Sequence, residues 1–384
     1  MKLWKRASGA LKDQKSLLKA SLTYRSALRN PNIEKAVIRA TSHDESRVDY
    51  QSAQRIFAWV RISDDCLYRV LWALFGRMKR THNWAVALKG IMLLHGIFCC
   101  KVSGIQDIGR LPYDVLNLKD MGIKHRKFSG LNAFIHAYYA YLDAKSRFIF
   151  LHSQEQRKLA VLSLEETNDE EKQNSTIHDF VWLQHLQGLL DTLLETQPNS
   201  SQMVSVLILE AMDCIVIELY DIYSRISNGI GNVLARITSC GENEAKMALS
   251  IMQKAKIQDD EVSGFFKFCK DIGVGNAFEC PKMEEIPEEV FQELEQRIKR
   301  DPEQLKTDQS PEEQMKPVIV VEQHNVMKTC DHNNSMSSLK PVVITDNWEV
   351  FDEEQNQSIN LIDTFSAPVK NNVRDGPLPD LISF

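Results

Sequence analysis

The feature that most constrains this chain is the three- and four-residue spacing of apolar side chains throughout residues 1–275. Such spacing places apolar residues on one face of an α-helix. The alternating Val, Ile and Thr runs that are typical of strands are scarce. The pattern predicts helices over residues 3–20, 31–42, 49–61, 64–80, 83–100, 128–150, 153–164, 177–195, 202–238, 242–257, 259–272 and 284–300. We therefore expect an all-α protein.

The order of these helices predicts an α-solenoid, a right-handed superhelix of helical hairpins, because the connections are short. The segment 202–238 is apolar over more than half of its circumference and is expected to be central to the packing. The apolar run 84–100 contains Lys89 and His95 and is too short and too charged to span a bilayer, so it indicates a buried helix. Gly96, Gly104, Gly109 and Pro112 predict a loop after it.

Charge is distributed unevenly along the chain. Residues 1–130 contain 24 Lys and Arg against 10 Asp and Glu, a net +14, whereas residues 131–384 contain 22 against 42, a net −20. This split predicts a basic face that meets an anionic surface. Residues 281–384 contain 10 basic against 21 acidic residues, with Asn, Gln, Ser and Pro enriched. We expect this acidic tail to be mostly disordered, because it has little apolar surface to bury.

The N-terminal segment 1–24 is predicted to be a basic amphipathic helix. Leu3, Trp4, Ala7 and Leu11 share one face. The flanking basic residues are Lys2, Lys5, Arg6, Lys12, Lys15 and Lys19. A basic helix with Trp near its start suits a membrane interface. The alternative is a first helix that is docked on its own domain with its lysines exposed.

A second basic group lies at residues 35–47. Arg39 and His43 are four residues apart, which would place them on one face of a helix end. Lys35 lies one turn before Arg39, and Arg47 lies in the loop that follows. These donors could bind a phosphate, or they could form a solvated helix face with His43 as its cap.

Signatures of catalysis are weak. Gly229-Ile230-Gly231 and Gly273-Val274-Gly275 lack the full glycine spacing of a nucleotide loop, and we find no His-Glu-x-x-His or Gly-x-Ser-x-Gly pattern. The eight cysteines form no Cys-x-x-Cys pair. We predict no enzyme, no metal and no cofactor, in a cytoplasmic protein without a signal peptide. A nucleic-acid binder is disfavoured because basic and aromatic residues are not interleaved.

Several blocks, in order, resemble the ANTH domain of the clathrin assembly proteins. They are Arg39-Ala40-Thr41-Ser42-His43-Asp44, the helix that runs from Trp84 through Lys89 to His95, the segment 134–148 and the segment around 207–226. The resemblance covers about residues 25–275. The opening MKLWKRA and the final DLISF are also similar to a plant subgroup of this family.

The resemblance implies a superhelix that binds phosphatidylinositol 4,5-bisphosphate at a shallow basic patch, with a lipid-binding part at 25–150 and a further helical part at 151–280. The first basic residue of the patch matches Arg39. The lysine-rich loop of the family is shortened here to Asp44, Glu45, Ser46 and Arg47. We therefore expect membrane attraction to rely more on the N-terminal lysines. The family also implies binding of vesicle SNAREs.

The tail 281–384 contains short apolar and acidic clusters. Trp348 and Phe351 resemble the Trp-x-x-Phe peptides that bind adaptor appendage domains, and Asp363 with Phe365 resembles an Asp-x-Phe peptide. Leu361, Ile362 and Asp363 partly match a clathrin-box peptide. The predicted function is a clathrin adaptor at coated pits, coated vesicles or the Golgi. The main alternative is a helical scaffold that binds only proteins.

Overall fold

The computed structural model of this chain describes residues 2–22, 29–112, 126–162, 169–199, 203–236, 241–283 and 286–299. Ten α-helices and no strand lie within these ranges. The helices are α1 (Lys2–Leu22), α2 (Pro31–Ala40), α3 (Tyr50–Ile62), α4 (Asp64–Lys79), α5 (Trp84–Cys99), α6 (Arg126–Leu162), α7 (Asp169–Leu194), α8 (Val206–Arg236), α9 (Glu242–Ile272) and α10 (Glu288–Lys299), with a 3₁₀ turn at Ser103–Asp107. The all-α prediction is confirmed.

Polar side chains cap the N-terminal ends of helices α2 to α5. Asn30 accepts hydrogen bonds from the backbone of α2, which begins with Pro31, and Asn83 does the same for α5. Asp49 caps α3 and Ser63 caps α4. These side chains satisfy backbone N–H groups that have no partner within the helix.

The core is continuous from α2 to α10, as expected for a solenoid. Each helix packs on the next in sequence, and α8 additionally packs on α5. Helix α5 is the most enclosed, since even Lys89 and His95 are only 2% and 3% exposed. The expectation of a buried helix at 84–100 is confirmed. The described part of the chain contains no helix of the length and apolarity needed to span a bilayer.

Two predicted breaks between helices are wrong, and α7 begins at Asp169 rather than at residue 177. The segments 128–150 and 153–164 form one helix, α6, and the segments 242–257 and 259–272 form one helix, α9. Leu151 is exposed at the first supposed break and Gln258 is buried at the second, so the apolar spacing is interrupted at both. Neither break contains Gly or Pro to interrupt the backbone. Gly273, which has a φ of 85°, ends α9 in the left-handed conformation.

The predicted loop after the apolar run begins later than expected, because Gly96 lies within α5. A Cβ at this position would be 2.4 Å from the Cζ atom of Phe57 on α3. Gly96 therefore allows α3 and α5 to approach closely. The glycine reflects helix packing rather than a turn, and only Gly104, Gly109 and Pro112 lie in the loop.

Candidate functional site

Helix α1 docks on the fold through a small and polar face. Gly9 and Ala20 are buried, and a Cβ on Gly9 would be 2.8 Å from the Cβ of His43. Between them, Asp13 accepts hydrogen bonds from the His43 backbone N–H at 2.8 Å and from the Arg77 Nη2 at 2.7 Å, and its other contact is with His43 Nδ1 at 2.7 Å. We call Asp13, His43 and Arg77 the docking cluster. It joins α1, the loop after α2, and α4.

The opposite face of α1 carries apolar side chains into solvent. Trp4 is 86% exposed, Leu11 66%, Leu18 64% and Leu22 85%. Their spacing of seven, seven and four residues aligns them in one row, because an α-helix has about 3.6 residues per turn. We call these four residues the outer stripe. Lys12, Lys15 and Lys19 are exposed beside it. Helix α1 is therefore docked on its own domain with lysines exposed, which is the second alternative drawn from the sequence, and its contact with a membrane stays a prediction.

Buried cations shape the loop after α2. Lys89 donates to Ser42 Oγ at 3.1 Å and to the Asp44 carbonyl oxygen at 2.5 Å. Arg77 donates to the Thr41 carbonyl oxygen at 3.1 Å. Burial lowers the pKa of Lys89, and Asp44 counters this most among its neighbours. A lysine in this position holds the loop because a buried ammonium group requires oxygen acceptors.

His43 does not share a helix face with Arg39, contrary to the expectation. Helix α2 ends at Ala40, and Thr41 has non-helical angles of φ −109° and ψ 41°. His43 does not act as the helix cap either, since its backbone N–H and its Nδ1 both engage Asp13. Its Nε2 is the ring nitrogen that is left for a ligand.

The other basic residues of this region reach solvent to different degrees. Arg39 is exposed on α2, and Lys35, one turn earlier, is partly buried. Arg47 is 83% exposed, but its Nε lies 3.4 Å from the Asp44 carboxylate. This ion pair offsets part of the positive charge that the shortened loop supplies.

The predicted membrane contacts lie on α1. Trp4 and Arg6 are exposed, as are Lys12 and Lys15. Lys2 and Lys5 belong to the helix, but their side chains lie outside the described residues. The tail residues Trp348, Phe351, Leu361, Ile362, Asp363 and Phe365 also lie outside them.

Sequence reasoning missed Asp13, Arg77 and Lys89 as the residues that position the site. One signal was available for Asp13, which is the only acid among residues 1–30 and lies on the same helix face as Gly9, Ser16 and Ala20. A single acid on the small-residue face of a basic helix indicates a docking contact.

Replacing Asp13 with alanine is expected to release α1 from the fold. The side chains of Asp13, His43 and Arg77 are only 15%, 12% and 11% exposed, so the change would leave a largely buried guanidinium short of its anion. We expect the free energy of opening α1 to fall by about 2–3 kcal/mol. Hydrogen exchange of the α1 amides would measure this loss as faster exchange.

Asp65→Ala is the matched control, because its ion pair with Arg69 is exposed and is worth at most about 0.5 kcal/mol. The docking should also depend on pH. Burial raises the pKa of Asp13, but hydrogen bonds from His43 and Arg77 outweigh it and lower the value. The stabilisation is therefore complete above about pH 4 and is lost as the pH falls through the lowered value. Equal exchange of α1 in both variants would contradict the assigned role.

A second polar network is buried between α5, α6 and α8. Glu218 accepts hydrogen bonds from Lys145 Nζ at 2.6 Å and from the Tyr141 hydroxyl at 2.7 Å, and its other oxygen lies 3.1 Å from His95 Nε2. His95 Nδ1 lies 2.7 Å from the Tyr138 hydroxyl. Burial raises the pKa of Glu218, but the charge of Lys145 and the bond to His95 outweigh it and lower the value well below its usual range.

The same network contains three groups of metal-ligand type. Donor atoms of His95, Cys99 and Glu218 all lie within 4.8 Å of one another. However, both nitrogens of His95 and both oxygens of Glu218 already have partners, and Lys145 brings a positive charge to the carboxylate. A divalent cation would have to displace these contacts. The arrangement therefore fits a buried ion-pair network that joins three helices.

The family match extends from α2 to α10 and so includes a helix beyond the expected limit of residue 275. The sequence matches the ANTH domain over residues 32–300. Three Arabidopsis thaliana proteins that bear the name "Putative clathrin assembly protein" also align with it. The first is 39% identical over 383 residues, covering 100% of this chain and 96% of the relative. The second is 39% identical over 357 residues (92% and 89%), and the third is 37% identical over 301 residues (78% and 82%).

Proposed function

This chain belongs to the ANTH domain family, and we propose that it is a clathrin adaptor. Its helices would bind a membrane that contains phosphatidylinositol 4,5-bisphosphate, and its acidic tail would recruit clathrin and adaptor appendage domains. The proposal assigns the chain no catalytic step. Coated pits and coated vesicles are the proposed sites of action, and Golgi membranes and vesicle SNAREs are further proposals that rest on the family resemblance.

The observation that carries the membrane half of the proposal is the outer face of α1. A row of four exposed apolar residues with lysines beside it is unusual on a helix that is docked by its other face. At a membrane, the apolar row would enter the headgroup boundary while the lysines contact phosphates. Each basic residue near an anionic leaflet contributes about 1 kcal/mol.

Headgroup selection is proposed for the region around α2. Arg39 and Lys35 supply cations from the helix, and Arg47 supplies one from the loop. The docking cluster supports this arrangement by holding the loop against α1, so that His43 of the loop lies against Gly9 and Asp13 of α1. Because Arg47 lies beside the Asp44 carboxylate and His43 Nδ1 contacts Asp13, this patch has fewer free polar groups than its residue count suggests.

The coat half of the proposal rests on the tail and on the relatives. The alignment with the first relative extends over the whole chain, including the tail, and that relative is named for clathrin assembly. Aromatic anchors such as Trp348, Phe351 and Phe365 would each bind weakly, and their presence in one segment would raise the effective concentration.

Vesicle sedimentation of the full chain tests both halves. We expect vesicles with phosphatidylinositol 4,5-bisphosphate to bind more protein than charge-matched phosphatidylserine vesicles, and Arg39→Ala with Arg47→Ala to weaken the former by about tenfold. Vesicles loaded with wild-type protein should then recruit purified clathrin and adaptor appendages. Replacing Trp348, Phe351 and Phe365 with alanine should abolish recruitment without changing vesicle binding.

The matched control removes two exposed cations far from the site, with Lys256→Ala and Lys267→Ala on α9. Equal loss in both double variants would mean that only total charge matters. Equal binding of the wild type to both lipids would contradict headgroup selection.

A protein-binding scaffold is the second candidate function, and one observation favours it. The loop that should supply lysines carries Asp44 and Glu45, and its one cation, Arg47, is paired with Asp44. A scaffold would bind clathrin through its tail in solution, with no enrichment on vesicles of either composition.

A further inference from the structure

A second group of cations lies between the end of α4 and the start of α2. It consists of Arg29, Arg77 and Arg80, which we call the arginine cluster. Arg77 is fully engaged, since it donates to Asp13, Thr41 and Ser16. The Arg29 Nε donates to Glu34 at 3.0 Å, and the Arg29 guanidinium carbon lies 5.2 Å from the centre of the Trp72 ring. Two of the three guanidinium groups are thus fixed by partners.

Arg80 differs from its neighbours. It follows the last residue of α4, and its guanidinium lies over Gly76, where a Cβ would be 3.7 Å from the nearest nitrogen. Burial lowers the pKa of Arg80, Arg29 and Arg77 lower it further, and Glu34 partly counters them. Within the described ranges the Arg80 guanidinium has no hydrogen bond and no ion pair. An arginine remains charged at neutral pH even so, and it has five N–H donors to offer.

The charge balance of the cluster leaves an anion missing. The guanidinium groups of Arg29 and Arg80 lie over Trp72 and Gly76, which are one turn apart on α4, so the two groups are neighbours. The described carboxylates that pair with the cluster are Glu34, which binds Arg29, and Asp13, which binds Arg77 and also His43. The positive charges of the cluster repel one another, and the N–H donors of Arg80 are unused. Both features favour the binding of an anion. A phosphate monoester carries close to two negative charges and accepts the paired N–H groups of a guanidinium, and clusters of arginines are the usual receptors for it.

We propose that Arg80, supported by Arg29, forms a second phosphate site for a phosphorylated inositol ring, distinct from the patch at Arg39 and Arg47. The choice of ligand rests on the proposed function and on location. Arg77 links the cluster directly to α1, since its Nη1 lies 3.3 Å from Ser16 Oγ and its Nη2 donates to Asp13. The site therefore adjoins α1 on its docked face, opposite the outer stripe.

This second site explains how a shortened α2 loop is compatible with headgroup recognition. The loop lost its lysines, but α4 and the residue before the α2 cap supply guanidinium groups instead. An arginine fork gives directional contacts that a lysine does not, so the site selects a phosphate group rather than a diffuse negative surface.

The test uses the full chain with two sources of the same chemistry. Isothermal titration with soluble inositol 1,4,5-trisphosphate measures the free headgroup, and sedimentation with phosphatidylinositol 4,5-bisphosphate vesicles measures the lipid. Arg80→Gln is expected to weaken binding by about tenfold in at least one of these assays, and Arg80→Lys to recover only part of it. Loss in both assays would indicate a site for the free headgroup, and loss with vesicles alone would indicate one that requires the membrane.

Controls separate this inference from the proposed function. Arg80 is only partly buried and has no hydrogen-bond partner within the described ranges, so the melting temperature of Arg80→Gln should match that of the wild type. Unchanged binding by Arg80→Gln, with binding lost in the Arg39→Ala and Arg47→Ala variant, would overturn the second site and leave the adaptor proposal intact. An equal loss on phosphatidylserine vesicles would also overturn it, since that would be a general charge effect.

Discussion

Replacing Glu218 with glutamine is expected to lower the free energy of unfolding by about 3–5 kcal/mol, the largest effect of any single change considered for this fold. The carboxylate is 9% exposed and serves Lys145 and His95 together, and these are 12% and 3% exposed. Glutamine keeps the shape of the side chain but removes its charge, which leaves the enclosed ammonium group of Lys145 without an anion and removes the carboxylate that His95 contacts. Thermal unfolding should register this as a fall of about 10 °C.

The loss of unfolding free energy in Glu218→Gln should depend on pH. The lowered pKa of Glu218 gives a stabilisation that is present above about pH 4.5 and is lost as the pH falls. Burial lowers the pKa of His95, but contacts with Cys99 and Glu218 outweigh it and raise the value. The contribution of His95 is therefore complete below about pH 6.5 and is lost as the pH rises through the raised value. The difference in the free energy of unfolding between wild type and Glu218→Gln should be greatest at about pH 5–6.5.

The control for this prediction is Glu295→Gln on α10. Glu295 is 51% exposed and pairs with Lys299 one turn later, so the change should cost about 0.3–0.5 kcal/mol. If Glu218→Gln unfolds at the same temperature as Glu295→Gln, the network is not a structural ion pair. A rise in the wild-type melting temperature on adding zinc, lost in Glu218→Gln, would instead favour the metal reading of His95, Cys99 and Glu218.

The positions of the helices could be predicted because periodicity is a local property. The burial of Lys89 and His95 followed in the same way, since both lie within an apolar run. Their partners could not be predicted. His95 meets Glu218 across 123 residues, and Asp13 meets Arg77 across 64. Such pairs are chosen by the packing of whole helices, and no spacing within one helix encodes them.

The contacts of the candidate site could not be predicted from residue spacing either. The four-residue spacing of Arg39 and His43 predicted a shared helix face, but the helix ends at Ala40. Asp13 and Lys89 then determine the path of the loop through tertiary contacts. The outer stripe was seen only in part from the sequence, because Leu18 and Leu22 belong to it by their alignment with Trp4 and Leu11 and by their exposure.

Replacing Leu11, Leu18 and Leu22 with glutamine is expected to weaken vesicle binding by about 100-fold. If each leucine gains about 1 kcal/mol at the headgroup boundary, a part of the value for full burial, the three together account for about 3 kcal/mol. The side chains are 64–85% exposed in the fold, so the free energy of unfolding should change by less than about 0.5 kcal/mol. Sedimentation with phosphatidylinositol 4,5-bisphosphate vesicles measures the binding.

The matched control replaces three exposed apolar residues elsewhere. Ile177, Val206 and Ile257 lie on α7, α8 and α9 and are 38%, 53% and 60% exposed. Their replacement with glutamine should leave vesicle binding unchanged. The fluorescence of Trp4 is an independent measure of membrane contact by α1. It should shift to shorter wavelength on vesicles, and Trp4→Phe should remove that shift.

Salt separates the two forces that α1 would use. Charge attraction from Lys12 and Lys15 is screened as ionic strength rises, whereas burial of the outer stripe is not. Wild-type binding that persists at about 0.5 M salt, but is lost there in the leucine variant, would mean that the stripe enters the membrane. Binding of both proteins that disappears together at that salt concentration would contradict insertion and would leave α1 as a basic helix held at the membrane surface by charge alone.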